Sequence, residues 1–173
     1  DPSHEVQTPS MDELVRVGIE LDRHYVYQFC SPTRCALQTG RNPLQVNPLN
    51  LEPNVANPAD PVGGFAGIAR NFTGIATKMA AAGYRTHFAG KWDAGMATRD
   101  HTPRGRGYHT SLHYFHHDNS YWDQHFADES DSCASVDPLP NGHPVDKPGS
   151  VGTVVDLWRA ADDGTEGPAH GYN

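Results

Sequence analysis

Apolar positions along this chain fall into alternating helix-like and strand-like stretches. After Thr8-Pro9-Ser10, residues Met11, Leu14 and Val15 share one helical face, and Gly18 ends the run. Ile19, Leu21, Tyr25 and Tyr27 then lie largely on one side of an extended segment, which reads as a strand delivering the chain to Cys30. Between Phe29 and Arg41 the helix punctuation is strong. Ser31 suits an N-cap, Pro32 suits the first helical position, where a missing N–H costs nothing, and Gly40 suits the C′ stop. Prolines 43, 48, 53, 58 and 61 argue against regular structure in 42–64 and predict a long surface loop near the site mouth, a rim facing the substrate. A second helical stripe of Phe72, Ile75, Ala76, Met79 and Ala80 closes at Gly83, and Tyr84 to Ala89 reads as a buried strand ending at Gly90-Lys91. Such alternation predicts an α/β sandwich with a mostly parallel central sheet and active residues at the carboxyl ends of its strands. No internal repeat interrupts the pattern, and 129–173 is polar and rich in Gly and Pro, which predicts an irregular tail.

Composition narrows the picture. In 173 residues, 36% hydrophobic content beside 14 prolines and 17 glycines predicts a loop-rich core and excludes a helical bundle. A formal net charge of −8 supplies no cationic stripe for a phosphate backbone, so no nucleic-acid partner is expected and any anionic substrate must be drawn by local cations. No apolar run is long enough to span a bilayer, and Asp1-Pro2-Ser3-His4 reads as neither an initiator nor a signal peptide, so an N-terminal portion is expected to be missing.

The local cations sit beside the most unusual cysteine. Cys30 stands at the mouth of the well-punctuated helix, where free backbone N–H groups and the positive dipole end gather, and Arg34 at i+4 adds a fork of donors. The combination suits an oxyanion. Cys35 and Cys133 carry no such context; they can pair with each other or elsewhere, and no Cys-x₂-Cys zinc spacing occurs. His113, His116, His117 and Asp118 form a second cluster. With 113 and 117 on one helix face it suits zinc or copper, whereas the interleaved Tyr114, Phe115, Tyr121 and Trp122 suit an aromatic loop or strand lining a pocket.

Cys30-Ser31-Pro32-Thr33-Arg34 followed by Leu37-Gln38-Thr39-Gly40-Arg41 resembles the signature of the sulfatase family, Cys-x-Pro-Ser/Thr/Ala-Arg with Leu-x-Thr-Gly-Arg in register. Gly83-Tyr84-Arg85-Thr86 with Gly90-Lys91-Trp92 is similar to a second family block, Arg106-Gly107-Tyr108 to a third, and Asp156-Leu157-Trp158 is a weaker echo. The likeness runs through most of the chain and points toward the arylsulfatase B branch. It implies an alkaline-phosphatase-like α/β sandwich, only partly contained in these residues, with 1–173 forming part of one catalytic domain. It also implies that Cys30 is oxidised to formylglycine, whose hydrate attacks sulfur, releases the alcohol and then collapses to eject sulfate. Arg34 and Lys91 would hold the sulfate oxygens.

One position departs from the family pattern. Where a histidine is implied two residues after Lys91, this chain has Asp93. An ionised carboxylate donates no hydrogen bond, and at about 4 Å from a sulfate oxygen it costs on the order of 4 kcal/mol at an effective dielectric near 20. It can still accept a proton from the hydrate and so act as the base that expels sulfate. His109, beside Tyr108, is a second source of the missing imidazole. The resemblance further implies a Ca²⁺ ion beside the formylglycine. Only Cys30 is carried over as a contact to it, the acidic ligands falling before Asp1 and after Asn173, so the remaining segments are expected from elsewhere, including another chain. A sulfated small molecule or carbohydrate is the implied substrate. Asn71-Phe72-Thr73 is an N-glycosylation sequon, which together with formylglycine formation implies the secretory pathway, whether lysosomal, secreted or cell-surface. Two other readings share the same motif: a phosphonate or phosphodiester hydrolase, and a sulfatase-like binding module without turnover.

Overall fold

A computed structural model describes residues 6–51, 53, 66–119, 125–127 and 153–169. Four helices and six strands are present among them: α1 (Pro9–Val17), α2 (Cys30–Thr39), α3 (Pro43–Val46), α4 (Ile75–Ala81), β1 (His87–Lys91), β2 (Thr110–Tyr114), β3 (His125–Ala127), β4 (Thr153–Val155), β5 (Leu157–Ala160) and β6 (Glu166–Pro168). A short 3-10 turn, Arg99–His101, lies between β1 and β2.

The main sheet runs β1-β2-β5-β6, and β3 pairs with β4 in a separate two-stranded ribbon. Strands β1 and β2 are parallel, with His87 opposite Thr110 and Lys91 opposite Tyr114. The β2–β5 and β5–β6 pairs are antiparallel. The described sheet is therefore mixed rather than mostly parallel. The reason is the returning hairpin, which the composition of the tail concealed. Asp163-Gly164 is a turn signal: Gly164 has φ 89°, Asp163 Oδ1 accepts from the Thr165 N–H, and the Ala161 N–H donates to the Thr165 carbonyl. Residues 153–169 are thus strands and a turn, not an irregular tail.

Other expectations shift for local reasons. Helix α1 forms where the apolar stripe and Pro9 place it and Gly18 ends it, yet it buries no side chain. Its successor, Ile19 to Tyr27, is not a strand; Ile19 and Tyr25 are more than four-fifths exposed, and no described strand pairs with them. Helix α3 appears inside 42–64 because Pro43 takes the first helical position, where no N–H is needed, and Asn42 Oδ1 caps the Leu44 N–H. Most of the remaining loop, 54–64, lies outside the described residues. The α4 stripe begins at Ile75, not Phe72, and Gly83 closes it at φ 88°. Strand β1 starts at His87 and is largely exposed, not buried.

The core lies where α2 meets the carboxyl ends of β1 and β2. Cys35, Ile68, Trp92, Ala94 and Phe115 are buried there, with Phe72, Phe88, Tyr108 and Trp158 packed around them. Trp92 is the keystone: its ring meets Phe88 edge-on at 5.1 Å, and Nε1 lies 2.9 Å from the carbonyls of both Gly95 and His101. Truncating such a residue to alanine costs about 3–5 kcal/mol. A polar clamp closes the neighbouring edge. Buried Asp156 accepts the Phe115 and His116 N–H groups, and its Oδ1 lies 2.7 Å from His116 Nδ1, fastening the end of β2 to the start of β5.

His113 belongs to strand β2, so 113 and 117 do not share a helix face. Its ring lies 4.6 Å from Phe115, is 1% exposed, and has no hydrogen-bond partner among the described residues. Burial pushes its pKa down to about 4, partly offset by Asp156. Because the unfolded chain takes up this proton first, the stability contribution is complete above about pH 6.5 and is lost as pH falls toward 4, a change of roughly 3 kcal/mol. Denaturant midpoints of the full-length protein across this range should fall with acid, and His113→Leu should remove most of that component. An unchanged acid dependence would show that His113 is not its source.

Candidate active site

Helix α2 presents the first site residue. Phe29, not Ser31, is its N-cap, so Cys30 is the first helical residue and Pro32 the third. Proline is tolerated there because the first turn's N–H groups have no intrahelical acceptor. Ser31 is drawn elsewhere: its hydroxyl lies 3.3 Å from the Leu49 carbonyl and its N–H 3.3 Å from Asn50 Oδ1, pinning the helix start to the chain beyond α3. Thr33 Oγ1 donates to the Tyr27 carbonyl at 2.7 Å. Gly40 ends the helix in the left-handed region at φ 66°, donating to the Ala36 carbonyl.

This scaffold leaves Cys30 exposed and buries Cys35 on the opposite face. Neither forms a disulfide among the described residues. Cys35 contacts Asn47 Nδ2 at 3.7 Å, and burial pushes its thiol up to about 12. Cys133 lies outside the described residues.

One turn after Cys30, Arg34 reaches across to the sheet and donates from Nη1 to the Lys91 carbonyl at 2.6 Å, a contact between residues 57 apart in sequence. Its Nε is buried without a hydrogen-bond partner among the described residues. Lys91 ends β1 with its side chain mostly buried. Its Nζ donates to the His117 carbonyl at 2.5 Å and lies 3.5 Å from Asp93 Oδ2. Beyond β1 the chain stays paired with the neighbouring segment: the Trp92 N–H donates to the Tyr114 carbonyl and the Asp93 N–H to the Phe115 carbonyl. That pairing holds Asp93 at φ 48°, a left-handed conformation that aspartate tolerates better than most residues, and buries its carboxylate completely. Asp93 Oδ1 lies 3.3 Å from His117 Nε2. Burial pushes the Asp93 pKa up to about 6, opposed by His117, Lys91 and Arg34.

Arg34, Lys91 and Asp93 thus meet at one end of the sheet, with Cys30 at the start of the helix that carries Arg34. His109 does not join them. It precedes β2 and its Nδ1 accepts from the Thr86 N–H at 3.1 Å. The parallel register puts it a strand's length from Lys91, roughly 16 Å. His117 is the member that sequence reading missed. It was visible only as part of a histidine cluster, and no local pattern ties it to Asp93. Asn71 is exposed, as a glycosylation acceptor must be. Among the described residues no group of three or more His, Cys, Asp or Glu side chains converges to hold a metal ion. None of the described helices is long and apolar enough to cross a membrane.

These contacts gather two cations, a carboxylate and an imidazole at the carboxyl ends of two parallel strands of an α/β protein. Comparison with known proteins makes the class specific. The Sulfatase family model matches residues 2–156, and the chain belongs to that family. It is 26% identical to mouse arylsulfatase J over 129 residues, which cover 75% of this chain and 20% of that protein. It is 32% identical to human arylsulfatase H over 119 residues, 66% of this chain and 20% of that protein. Against bovine arylsulfatase A the identity is 34% over 107 residues, 61% of this chain and 20% of that protein. The crystal structure of Ps i-CgsB superposes with a TM-score of 0.55 at 29% identity, covering 66% of this chain and 24% of that one. The chain therefore spans about a fifth of the length of the curated relatives it matches, and its fold is the alkaline-phosphatase-like α/β type.

The two thiols should differ sharply in reactivity. In protein made without a cysteine-modifying enzyme, iodoacetamide at about pH 8 should alkylate the tryptic peptide His24–Arg34 and spare Cys35–Arg41 until denaturant is added. Equal labelling of both in the native state would contradict the burial of Cys35.

Proposed function

We propose that residues 1–173 are part of one sulfatase catalytic domain, and that the whole protein hydrolyses sulfuric esters with a formylglycine derived from Cys30. The observation that carries this reading is the Arg34–Lys91 bond, which joins the cysteine-bearing helix to the lysine-bearing strand and so brings two sequence blocks together. An exposed first-turn position for Cys30 fits both a modifying enzyme and an incoming ester. The hydrated aldehyde would supply the nucleophilic oxygen. The remaining chemistry belongs to the chain: Arg34 and Lys91 stabilise charge growing on the sulfuryl oxygens, and Asp93 together with the groups it contacts serves the basic function of the site.

The substrate class is a sulfated small molecule or carbohydrate, consistent with the arylsulfatase relatives. Ca²⁺ is expected beside the modified Cys30, as membership of the sulfatase family suggests. Exposed Asn71 in its sequon supports glycosylation and a secretory-pathway location.

Mass spectrometry of the peptide His24–Arg34 from the natural source should find an aldehyde in place of the Cys30 thiol. A peptide carrying only thiol would refute the enzymatic reading and leave an anion-binding module.

Lys91→Ala in the full-length protein should lower kcat for a sulfate ester by about 100-fold, roughly 3 kcal/mol of transition-state stabilisation, while shifting the thermal midpoint little. Unchanged kinetics would make Lys91 a structural cation only.

A further inference from the structure

Asp93 is an uncommon group to find at a site for anions. A carboxylate removed completely from water and held at φ 48° is costly on both counts, so its surroundings must over-determine it. Those surroundings are an ammonium and an imidazole, brought by different segments. Lys91 Nζ lies 3.5 Å from Oδ2 and His117 Nε2 lies 3.3 Å from Oδ1. Lys91 Nζ also donates to the His117 carbonyl, so ammonium, carboxylate and imidazole close into a ring of contacts spanning the ends of β1 and β2. Arg34 joins it through the Lys91 carbonyl.

The three site groups differ in what they can do with a proton. Arg34 keeps its charge, and Lys91 is committed to two oxygen contacts. Asp93 has no exposed carboxylate surface, so a bound ester cannot reach its oxygens. His117 is about one-fifth exposed and, among the described residues, is the imidazole that contacts Asp93. A carboxylate 3.3 Å from an imidazole nitrogen favours one orientation of the ring by its charge.

Resting on the sulfatase reading above, we infer that His117 is a further functional residue of this site: it exchanges the proton with the bound sulfate ester, and Asp93 is a positioning residue that acts through it. In the forward direction the imidazole accepts the proton of the attacking hydroxyl as its oxygen bonds to sulfur, becomes imidazolium beside the Asp93 carboxylate, and gives that proton to the departing alkoxide oxygen as the ester S–O bond breaks. The basic function of position 93 is thereby exercised by a neighbour. The raised Asp93 pKa, about 6 with His117, Lys91 and Arg34 opposing its burial, agrees with a carboxylate that depends on these neighbours to stay charged.

His117→Gln is a clean probe, because the carbonyl that Lys91 uses belongs to the backbone and survives the change. Rates of sulfate-ester hydrolysis by the full-length protein should be measured across pH for the wild type, His117→Gln and Asp93→Asn. His117→Gln should lower kcat about 100-fold with KM within about threefold, and should remove one limb of the pH–rate profile. Asp93→Asn should displace that limb without abolishing it. Free imidazole should restore part of the rate to His117→Ala. Wild-type kcat and pH profile in folded His117→Gln would overturn the inference. Calorimetric binding of inorganic sulfate in buffers of different ionisation enthalpy separates this from the sulfatase reading, since it needs no turnover. If the wild type binds sulfate without hydrolysing esters, the sulfatase reading fails. Proton uptake on binding that His117→Gln loses then still supports the proton-exchange role, and equal uptake in both proteins overturns it.

Discussion

The bond from the Arg34 guanidinium to the Lys91 carbonyl is the constraint on which the rest of the site depends. A helix start collects anions only if it is held in a fixed direction, and a lysine at a strand end is useful only if it faces the same point. Arg34 achieves both by leaving its own helix and binding the backbone of the residue whose side chain completes the site. The guanidinium has several donors, of which one N–H is committed to the Lys91 carbonyl. A lysine in its place would be a single point charge without that geometry.

Beneath this contact the apolar core provides the rigidity. Cys35 lies on the buried face of α2 and packs with Trp92, one residue beyond the strand end that carries Lys91. The same two elements therefore meet twice, through a dry layer of Cys35, Trp92 and Phe115 and through a polar layer of Arg34 and Lys91. The dry layer excludes water, which strengthens the electrostatics above it and raises the cost of any unpaired charge. Asp93 illustrates both effects. Its carboxylate is driven toward protonation by burial and held back from it by three basic groups, a balance that would collapse if any of the four shifted.

The Asp156 clamp performs the equivalent task on the other side of β2. By accepting two successive backbone N–H groups and meeting His116, it fixes the turn that carries His117 toward Asp93. The residues at the end of β2 are thus gripped from β5 on one side and from the end of β1 on the other. Position in the fold, rather than residue type alone, makes His116 structural and places His117 at the site.

The sequence by itself determined the local punctuation and the chemistry. Pro9, Gly18, Gly40 and Gly83 act through their own backbone preferences, so α1, α2 and α4 were legible, as was the cysteine at the mouth of α2 with Arg34 one turn on. The motif blocks were enough to identify the family. What depends on distant partners was not legible. Ile19 to Tyr27 has a strand's alternation but no described strand beside it, so the pattern alone could not make a strand. Residues 153–169 carry a hairpin turn at Asp163-Gly164, hidden by a polar, Gly-rich composition until β2 is present to pair with β5. The mixed sheet follows from the antiparallel return of β5 and β6, and the distance of His109 from Lys91 and the meeting of Asp93 with His117 follow from the parallel register of β1 and β2. Register is a property of two strands together, and a one-dimensional pattern of side chains fixes which face each strand presents without fixing which residues end up opposite.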